Sequence, residues 1–497
     1  MVKRIVIIGG GIAGMSAGIF ARKNGFECVI LEKNSAPGGE CTGWDREGYH
    51  IDGCIHWLVG TKEGTPLHRL WMAVGALDGV EIYHPDSFLA FEHDGVTVTM
   101  YRDLDRLKSS WLSISPEDRD AIEEFCYLIL QLQSYEEPVD KPFDMMSLAE
   151  NIRVFAAMKS AGMVMRKYGK TSLKDYAQTF RHPALRAALA SFLPDGYSAS
   201  SVLFALAAFA KGQASVPRGG SRAFAARMAE RYLSLGGLMK TGCQVSKLIV
   251  ESGRASRAVS RSGESFEGDY FVAACDANVL FERLLLGKYP DRSFQDRYRN
   301  PKDYPLASQV LVSLGYDGII HSVPRSVSFP VAPFRVGERA IERLTITHFR
   351  HEPSFAPEGK TLITCAINQF SQDYDAWDAL ARDRERYQSE KSRVGGEVLR
   401  AVETRFGEMK GRLSLLDVAT PKTYERYCNA YRGAFMSFLP TVRGKALAHT
   451  GRIRGLDNVY LSGQWLQPPG GLPVAVITGK DTIMRICKRE KVPFTGI

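Results

Sequence analysis

Hydrophobic and polar positions change period several times along the chain, and each change marks an element. RIVIIG (Arg4 to Gly9) is an unbroken apolar run, the pattern of a strand buried on both faces of a parallel sheet. A glycine-rich turn follows, then a helical stretch from about Ile12 to Lys23. It stops at Asn24-Gly25, where glycine tolerates the left-handed conformation. ECVILE, ending at Glu32, is the second strand, so the first 35 residues read as one half of a βαβ unit. Phe88 to Tyr101 alternates around Asp94-Gly95 as a hairpin. Ser115-Pro116-Glu117-Asp118 opens a helix, with serine as cap, proline at the first position and acids in the first turn. Helical pattern then prevails from about 115 to 210. VPRGGSRAFAARMAERYLSLGG predicts a turn, a helix and a glycine stop. Strand-like CQVSKLIVE, the hairpin AVSRSGESFEGD and the apolar strand YFVAACD come next. Strands return between about 307 and 370, and a long charged helix is predicted near 374–406. The chain ends in strand (NVYLSG), glycine loop and helix (PVAVITGKDTIMRICKR). Dinucleotide-type elements at both ends, with dissimilar material between, predict a nucleotide domain assembled from separate segments.

Composition narrows the class. At 497 residues, 45% hydrophobic and 24% charged, the chain sits at globular averages, which excludes disordered, collagen-like and coiled-coil classes. The longest uncharged apolar stretch, Val202 to Ala210, is shorter than the roughly 20 residues that span a bilayer. The start MVKRIVIIGGG leaves no room for a signal peptide. Nine scattered cysteines without a C-x-x-C pair point to reduced thiols in the cytoplasm and to no metal site. The net charge of +9 is local: residues 141–240 hold 15 Lys/Arg against 5 Asp/Glu, and the remainder is nearly balanced. No RNA-binding signature or zinc finger accompanies it, so nucleic acid is not an expected partner.

Gly9-Gly10-Gly11-Ile12-Ala13-Gly14 fits G-x-G-x-x-G between a strand and a helix, with Glu32 ending the next strand. Gly9 serves the tight turn, Gly11 the approach of a pyrophosphate and Gly14 the packing of helix on strand. The helix N-terminus presents N–H groups and partial positive charge to phosphates. The Glu32 carboxylate suits a ribose hydroxyl and repels a 2′-phosphate. Lys33 to Gly39, with the Gly38-Gly39 pair, and the glycine-marked GYHIDG follow. LDNVYLSGQWLQPPGGLPVAVITGK supplies a second strand–glycine–helix element, in which Pro473 suits the first helical turn.

This combination resembles the FAD-binding proteins related to amine oxidases and phytoene desaturases. VPRGGSRAFAARMAERYLSLGGLMKTGCQVSKL is similar to the proline–glycine–glycine helix and strand of carotenoid desaturases and isomerases. VATPKTYERYCNAYRGAF and FAPEGKTLIT resemble the carotenoid isomerase and retinol saturase branch. The likeness spans Ile5 to Lys480. It implies an α/β, Rossmann-like FAD-binding domain built from discontinuous segments (1–80, 211–290 and 440–497). It also implies a mixed α+β substrate domain with a helical lid (81–210 and 291–439). It implies, too, that the Val245 backbone meets the adenine side, and that Gly463, Gln464 and the turn Leu472-Pro473-Val474 meet the flavin. Two departures stand out. Amine-oxidase relatives carry arginine after the double glycine, where this chain has Glu40. Their flavin-linking cysteine has no counterpart in LSGQWLQPPGG, which predicts noncovalent FAD.

His56 and Trp57, in DGCIHWLVG, lie where the wider fold approaches the flavin ring, so His56 is the candidate proton donor or substrate contact and also a candidate packed core histidine. His348 alternates onto a face with Leu344 and Ile346, as a core or cavity-lining residue. Asn151 to Tyr168 reads as one helix with four charges within an arc of about 140°. It is either an interfacial membrane helix or a helix covering the second domain's core. The expectation is an FAD-dependent oxidoreductase acting on carbon–carbon bonds of an apolar, polyene-like substrate by desaturation, saturation or cis–trans isomerisation. Its electron partner is open, and its place is the cytoplasm or the inner face of a membrane. The rivals are an amine or porphyrinogen oxidase and a noncatalytic lipid or prenyl carrier on the same fold.

Overall fold

The computed structural model describes residues 2–194 and 196–496. Its first layer grows from the apolar runs. Strands β1 (Arg4–Ile8) and β2 (Glu27–Leu31) pair in parallel through α1 (Ile12–Lys23). Tyr270–Ala273 adds to the other edge of β1, Val459–Leu461 pairs beyond it, and Leu238–Lys240 pairs outside β2. The result is a five-stranded, all-parallel sheet drawn from widely separated stretches of chain. Both faces are covered, as a parallel sheet requires. On one side α1 packs with the helices Gly220–Ser234 and Leu472–Glu490 around Met15, Phe20, Phe224, Tyr232 and Ile483. On the other, Val6, Ile8 and Phe271 pack against Leu248, Phe281 and Trp465.

A second, seven-stranded sheet holds the middle of the chain. Its order is Leu413–Ala419, Ala307–Tyr316, Thr361–Phe370, Arg339–His348, Ser326–Val336, Ser87–His93 and Val96–Tyr101. It is antiparallel except where Ser326–Val336 meets Ser87–His93. The helix Arg384–Arg405 lays Val394, Val398 and Val402 on this sheet. A helical layer from Leu104 to Ala210 has its own core around Trp111, Phe125, Phe180 and Leu203. The predicted class, a Rossmann-like α/β layer of discontinuous segments plus a mixed α+β part with a helical cover, is the class observed.

Local readings fare unevenly. The Phe88–Tyr101 hairpin turns at Asp94 and Gly95, both with positive φ, as a two-residue hairpin turn favours. Ser115 does not cap a helix. Its hydroxyl donates to Asp118 (2.7 Å), a 3₁₀ turn intervenes, and the helix runs Arg119–Leu132. Asp118 in turn accepts from the N–H groups of Arg181 and His182 (2.6 and 2.9 Å). The single helix predicted near 374–406 is two, Tyr374–Ala381 and Arg384–Arg405, because Asp383 caps the second by accepting from the N–H groups of Glu385 and Arg386. The single helix predicted over 151–168 is also two, Leu148–Ala157 and Lys159–Tyr168, breaking at Met158. The break lets the second bury Ala161, Val164 and Tyr168, while the first buries no residue.

Candidate functional site

The C-terminal edge of the parallel sheet is where the glycine loop, Glu32 and the late glycine loop come together. A Cβ on Gly14 would stand 1.9 Å from the Gly9 carbonyl oxygen, so the loop closes on α1 only with glycine there. Across the loop, Gly11 bridges to Gly38, and Gly39 lies against the Gly11 Cα, leaving a bare backbone trough. No side chain caps α1 and no acid sits in its first turn, so the leading N–H groups, from Ile12 and Ala13 on, are left for an anion. Glu32 is buried. Its carboxylate accepts from the N–H groups of Gly10 and Asn34, both at 2.7 Å, which fixes it at the rim with lone pairs to spare.

The late loop arrives on the same spot. A Cβ on Gly463 would lie 3.8 Å from the Ala13 Cβ, and the Gly463 N–H donates to Thr478 Oγ1 (3.0 Å). Gln464 accepts from the Gly471 N–H (3.1 Å), placing Leu472, Pro473 and Val474 as a half-buried first turn with no side-chain cap and no acid. Ser16 Oγ donates to the Val476 carbonyl (2.7 Å), tying α1 to this helix.

Glu40, Cys54, His56 and Cys428 are surrounded by protein yet keep accessible surface, as residues lining an internal cavity do. Burial, with the neighbouring Asp276 carboxylate adding, pushes Glu40 up to about 8, and a hydrogen bond from Gln464 opposes the shift. Asp276 is raised by burial to about 6, against hydrogen bonds from the N–H groups of Tyr431 and Asn278 and from the Tyr298 hydroxyl.

Asp52 organises the approach to His56. Its carboxylate accepts from the N–H groups of Cys54, Ile55 and Ser221 and from Ser221 Oγ, at 2.5–3.2 Å. The proline–glycine–glycine motif has its reason here. A Cβ on Gly220 would meet Asp52 Oδ2 at 2.1 Å, so glycine lets that helix N-terminus close on the carboxylate. Burial lowers His56, Asp52 opposes and Arg325 adds to the lowering, so the imidazole is neutral at pH 7. Trp57 meets Phe88 edge-on (5.6 Å), and Phe88 meets Phe192 and Phe209 (5.2 and 5.3 Å), an aromatic wall that runs from His56 into the helical layer.

The structure thus brings Gly9, Gly11, Ile12, Ala13, Gly14, Glu32, Gly38, Gly39, Gly463 and the Leu472–Val474 turn to one edge, with Glu40 and Gln464 beside them. Lys33 points elsewhere, donating to the Arg426 carbonyl (2.6 Å) and to Asn429. Val245 is buried at the start of its strand, two residues after Cys243, whose N–H donates to the Glu32 carbonyl (2.7 Å). His348 is buried and its ring contacts the Val323 carbonyl (3.1 Å). Sequence reasoning missed Asp276 and Arg325. No local pattern marks either, because their partners lie far along the chain.

The family model described as flavin containing amine oxidoreductase matches residues 12–486. Prolycopene isomerase 2, chloroplastic, of an Oncidium hybrid cultivar is 23% identical, covering 95% of this chain and 82% of that protein. The neurosporene-forming phytoene desaturase of Cereibacter sphaeroides is 24% identical over 95% of this chain and 92% of its own. Among solved structures, an oxidoreductase from Methanosarcina mazei has the same fold, at TM-score 0.61 and 14% identity over 97% of this chain and 100% of its own. A flavin cofactor fits the donor set, since bare backbone and uncapped helix N-termini converge on one edge of the parallel sheet.

Proposed function

The chain belongs to the flavin containing amine oxidoreductase family, and within it we propose an FAD-dependent oxidoreductase that works on carbon–carbon bonds of an apolar polyene. The observation that carries this is the wall of Trp57, Phe88, Phe192 and Phe209, which ends at a neutral histidine beside the nucleotide edge. Desaturation, saturation and cis–trans isomerisation all suit that chamber, and the names of the relatives support a polyene. An amine substrate suits it less, because the wall is aromatic and the Asp52 carboxylate beside His56 is already filled by four donors and is not free to receive an alkylammonium group. A carrier without chemistry has no need of the complete glycine trough.

The division of labour follows. Gly9–Gly14, Glu32, Gly38-Gly39 and Gly463-Gln464 would hold FAD noncovalently, Glu32 serving the ribose and Val245 the adenine side. When bound, the flavin supplies two-electron redox chemistry. The uncapped first turn of Leu472–Glu490 would offer its N–H groups to the flavin's pyrimidine edge and would stabilise negative charge there. Trp57 and its neighbouring rings exclude water and align the polyene. His56 gives or takes the proton at the reacting carbon. We assign 1–80, 211–290 and 440–497 to FAD and 81–210 and 291–439 to substrate, a division supported by where the two sheets draw their strands. The protein works in the cytoplasm at the inner face of a membrane, from which it takes substrate. No described helix is long and apolar enough to cross one.

His56→Phe tests the reading. The variant is expected to keep FAD, released into the supernatant on acid precipitation, and to lose turnover of a C40 polyene by about 10²–10⁴-fold. Full activity with an unshifted pH profile makes His56 structural, and flavin that stays in the pellet refutes noncovalent binding.

A further inference from the structure

We propose that Arg325 anchors a carboxylate at one end of the apolar substrate, which makes the substrate class a polyene acid and not a plain hydrocarbon. The inference rests on the reading of the chamber as a polyene site.

Arg325 immediately precedes the strand Ser326–Val336; the residue is half-buried and its Nε is fully enclosed. Its one protein hydrogen bond runs from Nη2 to the His56 carbonyl (3.1 Å), Nε has no partner, and no described carboxylate pairs with it. Arg227 also has a single backbone acceptor, the Ala76 carbonyl, and an unpartnered Nη2, but it lies away from the aromatic wall, and two further arginines are fully matched. Arg485 grips both Asp144 oxygens (2.6 and 3.1 Å), and Arg297 donates to the carbonyls of Ser293, Lys445 and Ala446. A guanidinium with an enclosed, unpartnered N–H is costly, so a ligand that supplies the missing acceptors gains the whole difference.

The surroundings define the ligand. Asp52, the nearest carboxylate, is already saturated by four donors. Arg218 is paired with Glu81 (3.4 Å), although its Nε lacks a partner. His351 stacks on Tyr83 (4.3 Å) with Nδ1 unpartnered, and His348 is held by the Val323 carbonyl. Burial, with Arg325 adding, holds His351 down to about 3 and His348 to about 4, so both rings are neutral. The cluster therefore offers a guanidinium whose fork is unfilled, with the hydrogen-bond-saturated Asp52 carboxylate and the Arg350 cation near it. That matches a carboxylate, a monoanion with two coplanar oxygens, better than a phosphate dianion. The apolar wall begins one residue away, because Arg325 holds the carbonyl of His56 and Trp57 follows it. Cation and aromatic surface in that order select a long unsaturated chain with an acidic end.

The test compares three C20 ligands on the flavin-loaded protein by equilibrium dialysis: all-trans-retinoic acid, all-trans-retinol and the corresponding hydrocarbon. The acid is expected to bind about 10- to 100-fold tighter than the other two, the range of a charge-assisted pair. High salt should narrow the gap only slightly, because an enclosed pair is weakly screened. Arg325→Gln should abolish the preference while leaving hydrocarbon affinity unchanged, and Arg325→Lys should restore part of it. Flavin content and thermal unfolding report whether each variant is folded, and the wild-type ligand series decides the matter without any variant. Equal affinity for all three overturns the carboxylate anchor and leaves the polyene reading standing. Binding of none of them overturns the anchor for this chain length, and absence of C40 polyene turnover as well overturns the polyene reading.

Discussion

Around Gly11 the site is made of backbone N–H groups and glycine Cα atoms, nearly all within the first 39 residues. Around Trp57 it is made of rings and a guanidinium brought together from segments as much as 269 residues apart. On the proposed reading the trough holds the flavin cofactor, and backbone, which every sequence possesses, suffices for that. The chamber must distinguish one substrate from another, and only side chains can do that. A side-chain change in the chamber should therefore alter turnover or selectivity and leave the cofactor in place, whereas filling the trough should remove the cofactor outright.

The largest expected effect comes from filling the trough. Gly14→Val puts a branched Cβ where 1.9 Å separates it from the Gly9 carbonyl oxygen. Either α1 withdraws from β1 or the loop opens, and overpacking of this kind costs about 1–3 kcal/mol or more. The variant should purify colourless and unfold at lower temperature. Trp57→Ala, its counterpart in the chamber, should purify yellow and unfold near the wild-type temperature. Flavin absorbance and thermal melts check both, and a yellow Gly14→Val beside a colourless Trp57→Ala would reverse the contrast.

The same contrast explains what could be read from residue order. The trough was legible because its determinants are contiguous: an apolar strand, glycines at fixed spacing, a helix and an acid at the next strand end. Glu32, Gly14 and the Leu472–Val474 turn are found where the pattern puts them. The class of fold was legible for the same reason, since buried parallel strands announce themselves as apolar runs. The chamber was not. Arg325 sits in HSVPRSVSF, which differs in no way from an exposed strand start, and only the fold sets it on His56. Helix breaks at Met158 and Asp383 were missed because charge and apolar period continue through both.

Glu40 sits where the two regions meet, and its effect should be intermediate. It is a side chain within a backbone site, and it neighbours Asp276, which has three donors where Glu40 has only Gln464. The proton therefore resides on Glu40, so on the proposed reading the acid would serve as a donor to bound FAD. The groups facing it are Asp276 and Gln464, with Cys54, Tyr424 and Cys428 across the cavity. Because its folded-state pKa is raised from 4.5 to about 8, the folded protein keeps a proton that the unfolded chain releases. Stability from this group is thus full at low pH and falls as pH rises through that window. FAD affinity should hold to about pH 7 and then weaken by up to about tenfold per pH unit above pH 8, as a carboxylate forms beside the cofactor. Glu40→Gln should give a flat profile. Fluorescence titration with FAD from pH 6 to 10 measures both, and parallel profiles for the two proteins would deny Glu40 any part in cofactor binding.

The smallest effect belongs to the outer surface of the helical layer, where two successive helices differ as trough and chamber do. Lys159–Tyr168 buries Ala161, Val164 and Tyr168 and is an ordinary covering helix. Leu148–Ala157 instead leaves Leu148, Ile152 and Phe155 exposed at 78%, 61% and 64%, with Phe143 stacked on Phe155. These three side chains share one face, and Arg153, Lys159 and Arg166 are exposed nearby. Lys167 contributes less, because Glu124 pairs with it at 2.7 Å. Three cations at roughly 1 kcal/mol each give weak, salt-sensitive attraction to an anionic bilayer, and shallow insertion of the apolar face adds to it. Wild-type protein should sediment with anionic vesicles at low salt, less at high salt, and least with neutral vesicles. Phe155→Ser and Ile152→Ser should each reduce the anionic fraction severalfold without changing FAD content, since neither residue touches the trough. Negligible pelleting in every condition would confine the apolar face to some other role and detach substrate uptake from the membrane. Pelleting that survives both substitutions would move the contact to another surface of the same basic segment.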